Sequence, residues 1–549
     1  MKVAVVTMNV KQGKCEENVS YMKEMIQRAR EEHADLIVFP QNAVSGYRLG
    51  DQWLDDAWCR YVDHFNEELI AESEDIAIVW GNIRYRNHRR FNAAFFAYQK
   101  QTHMRVKRND AAFDDARYFE ENPINSAIEF KGRIFGLNFG REVQLTDINI
   151  NLDAAMFDLD ADNNLKGNVI YANAVGMQNC GKNVVVMQGG SGVRINKKTI
   201  YHAPWFKSEM QIVDLDAGDE VSVDKPSLFE ALKLGIQEFD KQVFGGTIPW
   251  IVGMSGGLDS SVTTALLCAA LGKERVYGYN IATHNNSSTT IQNAAHEAKA
   301  LGIAYQEGNM ESLIQVSVNL YKNEYGYDVA SMPSLVMENI QARARGYLLS
   351  GFAGILGGVV VNNGNKVETA LGYCTLYGDS IGAISVIGDL TKVQLFELAN
   401  EINAYFDKEI VPVNLLPNVL ESGLDWKMPP SAELREQQFD PMKWFYHDYI
   451  IEHLGKDISI KSFMQSYLDK SIWNSEISRW LTYYGLDDPK KFIEDLEWIL
   501  STMNKNGFKR LQLPPLLSVH KHTLANKVEA QMRVDQHVFN ELKDAILHE

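Results

Sequence analysis

Ile251-Val252-Gly253-Met254-Ser255-Gly256-Gly257-Leu258-Asp259-Ser260-Ser261 is the stretch from which the rest of the 549-residue chain can be ordered. The apolar run from Ile248 to Val252 predicts a buried strand. From Asp259 to Leu271, the residues Val262, Leu266, Ala269 and Ala270 recur at helical spacing and predict a helix. Between the two lies a Ser-Gly-Gly turn. Glycine lets the backbone take positive φ and approach a ligand with no Cβ in the way. The amides of such a turn, backed by a helix N-terminus, cradle an anion such as pyrophosphate. Asp259 stands at the mouth of the loop, where a carboxylate beside phosphates is placed to hold Mg²⁺. An ordinary turn capped by Asp259 or Ser260 would not need the strand, paired glycines, acid and hydroxyls all at once.

The loop is not a Walker A motif, because no Gly-Lys-Ser/Thr follows, and it lacks Gly-x-Gly-x-x-Gly. It resembles the pyrophosphate loop of the ATP pyrophosphatases, which cleave ATP between the α- and β-phosphates to adenylate a substrate. That resemblance implies a doubly wound parallel sheet, with ATP on Gly253, Met254, Ser255, Gly256, Gly257, Leu258, Asp259 and Ser260. It specifies a reaction type and leaves the substrate open among NAD, GMP, asparagine and tRNA-modifying enzymes.

Motifs further along narrow the substrate. Val276 to Ile281 predicts a second strand, and Ile291 to Leu301 a helix with Ile291, Ala294, Ala295 and Ala298 on one face. In Glu338-Asn339-Ile340-Gln341-Ala342-Arg343-Ala344-Arg345-Gly346, Asn339 and Arg343 lie one helical turn apart, with Arg345 off that stripe. Arginine forks suit phosphates and carboxylates. Val359 to Val361 predicts a strand whose C-terminal end carries Asn362-Asn363-Gly364-Asn365-Lys366-Val367-Glu368, where open α/β sheets bind ligands. Leu371-Gly372-Tyr373-Cys374-Thr375-Leu376-Tyr377-Gly378-Asp379 follows. Together these are very similar to the NAD synthetase signature. Gly388-Asp389-Leu390-Thr391-Lys392, Lys427-Met428-Pro429-Pro430-Ser431-Ala432-Glu433-Leu434 and Phe508-Lys509-Arg510-Leu511-Gln512-Leu513-Pro514-Pro515 resemble that family's later lysine-bearing segments. Two departures stand out: Asn363 replaces a threonine near ATP, and Asn293 an acid in the segment from Thr283.

The resemblance implies NAD⁺ synthesis from deamido-NAD⁺, ATP and ammonia through an adenylated intermediate, releasing AMP and pyrophosphate. Mg²⁺ would sit on Asp259 and Glu368, and Lys392 would act in catalysis beside them. Asn363 would contact ATP. Asn339, Arg343, Glu368, Asp379, Lys427 and Lys509 would contact deamido-NAD⁺. Synthetases of this family bind that substrate across a subunit interface, so a homo-oligomer is implied.

The first part of the chain reads as a separate α/β domain. Strand-like runs (Val3–Thr7, Leu36–Phe39, Ile76–Trp80, Phe135–Asn138, Val169–Asn173) alternate with helical stretches such as Val19 to Glu32. Phe39-Pro40-Gln41-Asn42-Ala43-Val44-Ser45-Gly46-Tyr47 resembles the first catalytic segment of the nitrilase family. Phe113-Asp114-Asp115-Ala116-Arg117-Tyr118-Phe119, Tyr171-Ala172-Asn173-Ala174-Val175-Gly176 and Gly189-Gly190-Ser191 support it. An α-β-β-α sandwich is implied. The family's amidases use a Cys nucleophile, a Glu base and a Lys that stabilises the oxyanion. Here Gln41 stands at the Glu position and Gly140 at the Cys position. Gap-free counting puts Met104 at the Lys position, with Lys107 reachable by a local shift. A glycine forms no thioester, so the domain is expected to lack glutaminase activity and the enzyme to take free ammonia. Three alternatives remain: a cryptic nucleophile such as Cys180, a separately supplied glutaminase, or a non-catalytic nucleotide-binding relative.

The acidic turn Asp214 to Glu220 marks a boundary. The expected division is residues 1–216, a linker 217–226, and 227–549, which opens on an amphipathic helix from Ser227 to Phe244. With 54 basic against 71 acidic residues the net charge is −17, which excludes a non-specific nucleic-acid binder. Cys15, Cys59, Cys180, Cys268 and Cys374 lie too far apart for a disulfide framework or zinc site. The start of the chain is too short and polar for a signal peptide. Leu348 to Val361 is too short for a membrane span, so a soluble cytoplasmic protein is expected.

Overall fold

Alternation along the strand Lys2–Asn9 sets the architecture of the first unit. Val3 and Val5 face one buried cluster, while Ala4, Val6 and Met8 face another. A strand buried on both faces needs a layer on each side. The computed structural model supplies these layers, describing residues 1–549 apart from 111–114, 123–126, 432, 435–439, 455, 457, 522, 525–534 and 549. Phe113, Asp114 and Ala432 of the quoted motifs therefore lie outside the described residues.

The chain divides into two compact units, residues 1–238 with 519–521, and residues 239–518 with 522–549. In the first unit one sheet runs, in spatial order, Glu209–Asp214, Lys2–Asn9, Leu36–Val38, Ala77–Arg86, Arg89–Tyr98, Gln101–Val106. The other runs Ala127–Phe130, Arg133–Phe139, Ile148–Asp153, Val169–Cys180, Gly192–Ile195, Lys198–His202. Val3, Val5, Leu36 and Val79 of the first sheet meet Leu137, Ile150 and Ile170 of the second. On the far side of the first sheet, Val19, Met22 and Ile26 of helix Cys15–Glu31 and Val62, Phe65 and Leu69 of helix Asp56–Ala71 pack on Val6, Ile37 and Trp80. The layered nitrilase-like α/β fold expected for this half is present, its long helices lying on the first sheet. Among the described residues between Ala127 and Asp214, strands are joined by turns and no helix intervenes. The connection from Ile148–Asp153 to Val169–Cys180 is rich in turn formers from Asp158 to Asn164.

The second unit carries a four-stranded parallel sheet in the order Ala304–Asn309, Val276–Ala282, Trp250–Gly253, Val359–Val360. The helices Leu258–Leu271, Ser288–Leu301, Glu311–Tyr325 and Ser334–Leu356 connect or flank these strands. The strand order reverses direction between Trp250–Gly253 and Val359–Val360, which opens a crevice at their carboxyl ends. A separate cluster, built on helices Tyr446–His453, Ile460–Leu468 and Pro489–Lys505, also takes in Val367, Ala370 and Leu371.

Glu297, on the inner face of Ser288–Leu301, is fully buried. Burial pushes its carboxyl up to about 8, eased only by the Ser261 hydroxyl. Between its ordinary value of 4.5 and about 8, the folded protein keeps a proton that the unfolded chain has lost. Stability from the protonated acid is thus complete below the lower value and drains as pH rises through the upper one, by at most about 1.4 kcal/mol per pH unit. Glu297→Gln does not titrate. Its melting temperature should match the parent's near pH 5 and exceed it by several degrees at pH 9.

Candidate active site

A cavity of about 470 Å³ opens at that crevice. Its floor is the loop between Trp250–Gly253 and Leu258–Leu271. Gly256 has φ +79°, and a Cβ there would lie 1.8 Å from the Thr290 carbonyl oxygen. The loop is tied internally: Ser255 Oγ lies 3.0 Å from Ser260 Oγ and accepts the Gly257 N–H at 3.2 Å. Gly253, Ser255, Gly257, Leu258, Asp259 and Ser260 line the cavity. Met254 and Gly256 do not. Met254 is buried, its N–H bound to Tyr279 O at 2.9 Å and its sulfur against Gly278.

Charged side chains converge beside the loop. Lys392 Nζ donates to both oxygens of Asp259, at 2.9 and 2.8 Å, and lies 4.9 Å from the Trp444 ring centre. Burial works to lower the Lys392 pKa, but the charges of Asp259 and Glu368 outweigh it and the net shift is upward. Glu368 sits in the helix Lys366–Leu371 behind a reciprocal cap. Asn365 Oδ1 accepts the Val367 and Glu368 N–H groups, each at 3.0 Å, and Glu368 Oε2 accepts the Asn365 N–H at 3.2 Å. Burial and then the Asp259 charge push Glu368 well above the usual carboxylate range. Asn365 Nδ2 also reaches Asp259 at 3.4 Å. Asn363 donates to Gly253 O at 2.9 Å, and its own Oδ1 is buried without a partner.

The cavity wall adds residues that spacing did not single out. Arg345 lines it, donating to Ile281 O at 3.2 Å, whereas Arg343 is exposed and bonds Leu376 O at 3.2 Å. Asp440 lines it too. Glu433 accepts from Thr290 Oγ1 at 2.8 Å and Asn286 Nδ2 at 3.2 Å, so the segment bearing Lys427 lies over the loop. Asn293, in place of an acid, donates to Gly256 O at 3.3 Å and shares a bond with Asn414. Asp379 faces the cavity but is walled by protein behind, and that burial pushes it up to about 6. Asn339 and Lys509 are not in the lining. Asn339 accepts from Thr375 Oγ1 at 2.8 Å, and Lys509 Nζ donates to Gly372 O and Cys374 O at 2.9 and 2.7 Å. Both hold the wall from behind.

The NAD synthase family matches residues 236–467, and the carbon-nitrogen hydrolase family matches residues 2–107. The chain thus joins the two segments that make up a two-domain NAD synthetase. It is 27% identical to the glutamine-dependent NAD(+) synthetase of Acinetobacter baylyi, covering 86% of this chain and 92% of that one. It is 29% identical to the enzyme of the same name from Synechocystis sp., covering 83% and 88%. Among solved structures, the glutamine-dependent NAD(+) synthetase of Cytophaga hutchinsonii superposes over 99% of both chains with a TM-score of 0.75 at 14% identity. That of Acinetobacter baumannii, in complex with ADP, gives 0.67 at 23%, covering 97% and 96%. At these identities the two structures speak for the fold alone.

The synthetase also carries a cavity of about 310 Å³ in its first unit, lined by Gln41, Tyr47, Lys107, Gly140, Glu142 and Asp153 among others. This corrects one expectation. Met104 lies mid-strand in Gln101–Val106, paired with Phe95 and 40% exposed, while Lys107, just past the strand end, enters the cavity. Lys107 Nζ donates to Tyr47 Oη and Asp115 Oδ2, both at 2.7 Å. Lys107, not Met104, therefore shares this cavity with Gln41 and Gly140. Among the described residues that line this cavity there is no cysteine. Cys15 and Cys59 are buried, and burial pushes their thiols up to about 12 and about 11. Cys180 is exposed at the end of Val169–Cys180, with its sulfur beside Gly50.

The loop geometry separates two adjacent glycines. Gly256→Ala must clear a backbone carbonyl at positive φ and should cost about 2 kcal/mol or more, with ATP-induced thermal protection lost. At Gly257 the φ is −91° and a Cβ would meet only Ser255 Oγ at 3.4 Å. Gly257→Ala should therefore melt within a few degrees of the parent.

Proposed function

We propose that the synthetase amidates deamido-NAD⁺ by adenylating its nicotinate carboxylate, and that its nitrogen comes from glutamine cleaved outside this chain. The observation that supports the first part is the convergence of Asp259, Glu368 and Lys392 on a glycine-bearing loop at the sheet's switch point. ATP lies with its phosphates on the amides of Gly253–Ser260 and a partner group on Asn363 Oδ1. The oxygen donors of Asp259 and Glu368, two carboxylates held close enough to raise the latter's pKa, suit a hard cation such as Mg²⁺. When bound there, Mg²⁺ neutralises charge on the phosphates. Lys392 offsets the charge that develops as the nicotinate oxygen attacks the α-phosphorus and pyrophosphate departs. Ammonia then adds to the acyl carbon and AMP leaves.

Asp379, Lys427 and Arg345 orient the dinucleotide from the cavity wall. Asn339, Arg343 and Lys509 act through the 372–376 segment that they bond. Exposed apolar side chains on two helices, Val316, Leu320 and Tyr325 on one and Leu335, Tyr347 and Ile355 on the other, support a homo-oligomer.

Two facts bear on the nitrogen source. The relatives named above are called glutamine-dependent, which favours glutamine over the free ammonia expected from the sequence. The first-unit cavity has no thiol among its described lining residues. A separately supplied glutaminase satisfies both.

The deciding experiment is NAD⁺ formation by the purified chain with three donors. Ammonium chloride should support synthesis. Glutamine alone should give less than about a hundredth of that rate, and glutamine with an added glutaminase should restore it. Glutamate release by the chain alone would overturn the external source. Absence of pyrophosphate–ATP exchange in the presence of deamido-NAD⁺ would overturn the adenylation itself.

A further inference from the structure

The charged groups at the phosphate loop hang on elements that begin far from the loop in sequence. Lys392 is the first residue of helix Lys392–Tyr405, and Glu368 lies in the first turn of Lys366–Leu371. What fixes the start of each helix decides where its side chain points. Both starts meet the same short helix, Tyr446–His453.

Asp448 is buried, and its two oxygens are divided. Oδ1 accepts the Lys392 N–H at 2.6 Å, and Oδ2 accepts the Phe445 N–H, also at 2.6 Å. One carboxylate thus joins the first turn of its own helix to the first turn of the helix that carries Lys392. One turn further along, on the same face, Glu452 Oε2 accepts from Lys366 Nζ at 2.7 Å. Lys366 is 2% exposed and also pairs with Asp389 at 3.5 Å. The Lys366 N–H is bound to Leu390 O at 2.8 Å, so both ends of that residue are tied.

The helix itself is anchored from behind. His447 Nε2 lies 3.1 Å from Asp495 Oδ2, and its ring stacks 5.5 Å from Trp498. Ile450 and Ile451 share a core with Val367, Ala370 and Leu371.

We propose that Tyr446–His453 is a positioning element for the nucleotide site, with Asp448 aiming Lys392 and Glu452 aiming Glu368 through Lys366. The proposal rests on the reading of the cavity as the ATP site. Neither acid touches the loop, so both are positioning residues. Displacing a charged group by about 1 Å can cost about 100-fold in rate. A carboxylate holding a helix start, and a buried ion pair holding another, prevent that displacement.

The test is kinetic and structural together. Asp448→Asn and Glu452→Gln should each lower kcat per folded molecule at least tenfold and raise the Mg²⁺ concentration needed for half-maximal rate. KM for deamido-NAD⁺ should stay within about twofold. Variants that melt earlier but keep the parent's kcat and Mg²⁺ dependence would make the acids merely structural and overturn the proposal. If either variant fails to fold, hydrogen exchange on the parent protein decides. Adding MgATP should slow exchange at the amides of 446–453 as well as at 365–368 and 392–393. Slowing at the loop with none at 446–453 would overturn it. The exchange measurement needs only MgATP, so a parent that binds nucleotide but makes no NAD⁺ would refute the functional reading and still judge the brace. No slowing anywhere would refute both.

Discussion

The contact on which the second unit depends is the pair between Lys392 Nζ and the Asp259 carboxylate, 133 residues apart in the chain. It joins the loop at the end of the first strand to a helix that starts after the fourth. Removing two charges from water is costly, and their attraction repays it only with good geometry. Here the lysine reaches both oxygens. Glu368 adds a second carboxylate to one ammonium, and burial together with Asp259 raises its pKa. Two carboxylates share one ammonium, an excess of acid that a bound cation would offset.

How much of this was legible follows from which constraints are local. The strand, turn and helix of 250–271 were readable because strand, positive-φ glycine and helix start are neighbours in sequence. The position of Glu368 was readable because its cap uses Asn365, three residues away. Arg345 was not. Spacing put Asn339 and Arg343 on one stripe, correctly, but a stripe does not say which face meets a cavity. Helix Ser334–Leu356 turns Arg345 inward and leaves Arg343 to bond Leu376 O. Glu433 is placed by tertiary bonds to Thr290 and Asn286, and no periodicity encodes such bonds. Met104 failed for a simpler reason: gap-free counting assumed a constant loop length where loops vary most.

The first unit shows that a fold and its chemistry are separable. The core between its sheets is Val3, Val5, Leu36, Leu137 and Ile150, none of which would touch a substrate. Gln41 and Gly140 line the cavity and lie outside that core. The cavity persists because strand ends and turns frame it, with Lys107 still paired to Asp115 and Tyr47.

Buried ion pairs are weak evidence for stability, since apolar residues of similar volume often do as well. That makes the charges behind the nucleotide site informative. Lys366, Asp389, Asp448 and Lys392 are all nearly inaccessible, and an apolar core lies directly alongside them. If stability alone governed these positions, that core could extend through them. An apolar contact tolerates sliding, because dispersion varies gently with displacement; a hydrogen-bonded carboxylate at 2.6 Å does not, because its energy falls steeply with distance and angle. Direction is what the proposed roles of Asp259, Glu368 and Lys392 require. The charges extend inward from the loop for the same reason that the loop is charged at all: each group that must point accurately needs a neighbour that fixes its angle, and that neighbour needs another in turn, until the chain of contacts ends on His447 and Asp495 in the interior of the helical cluster.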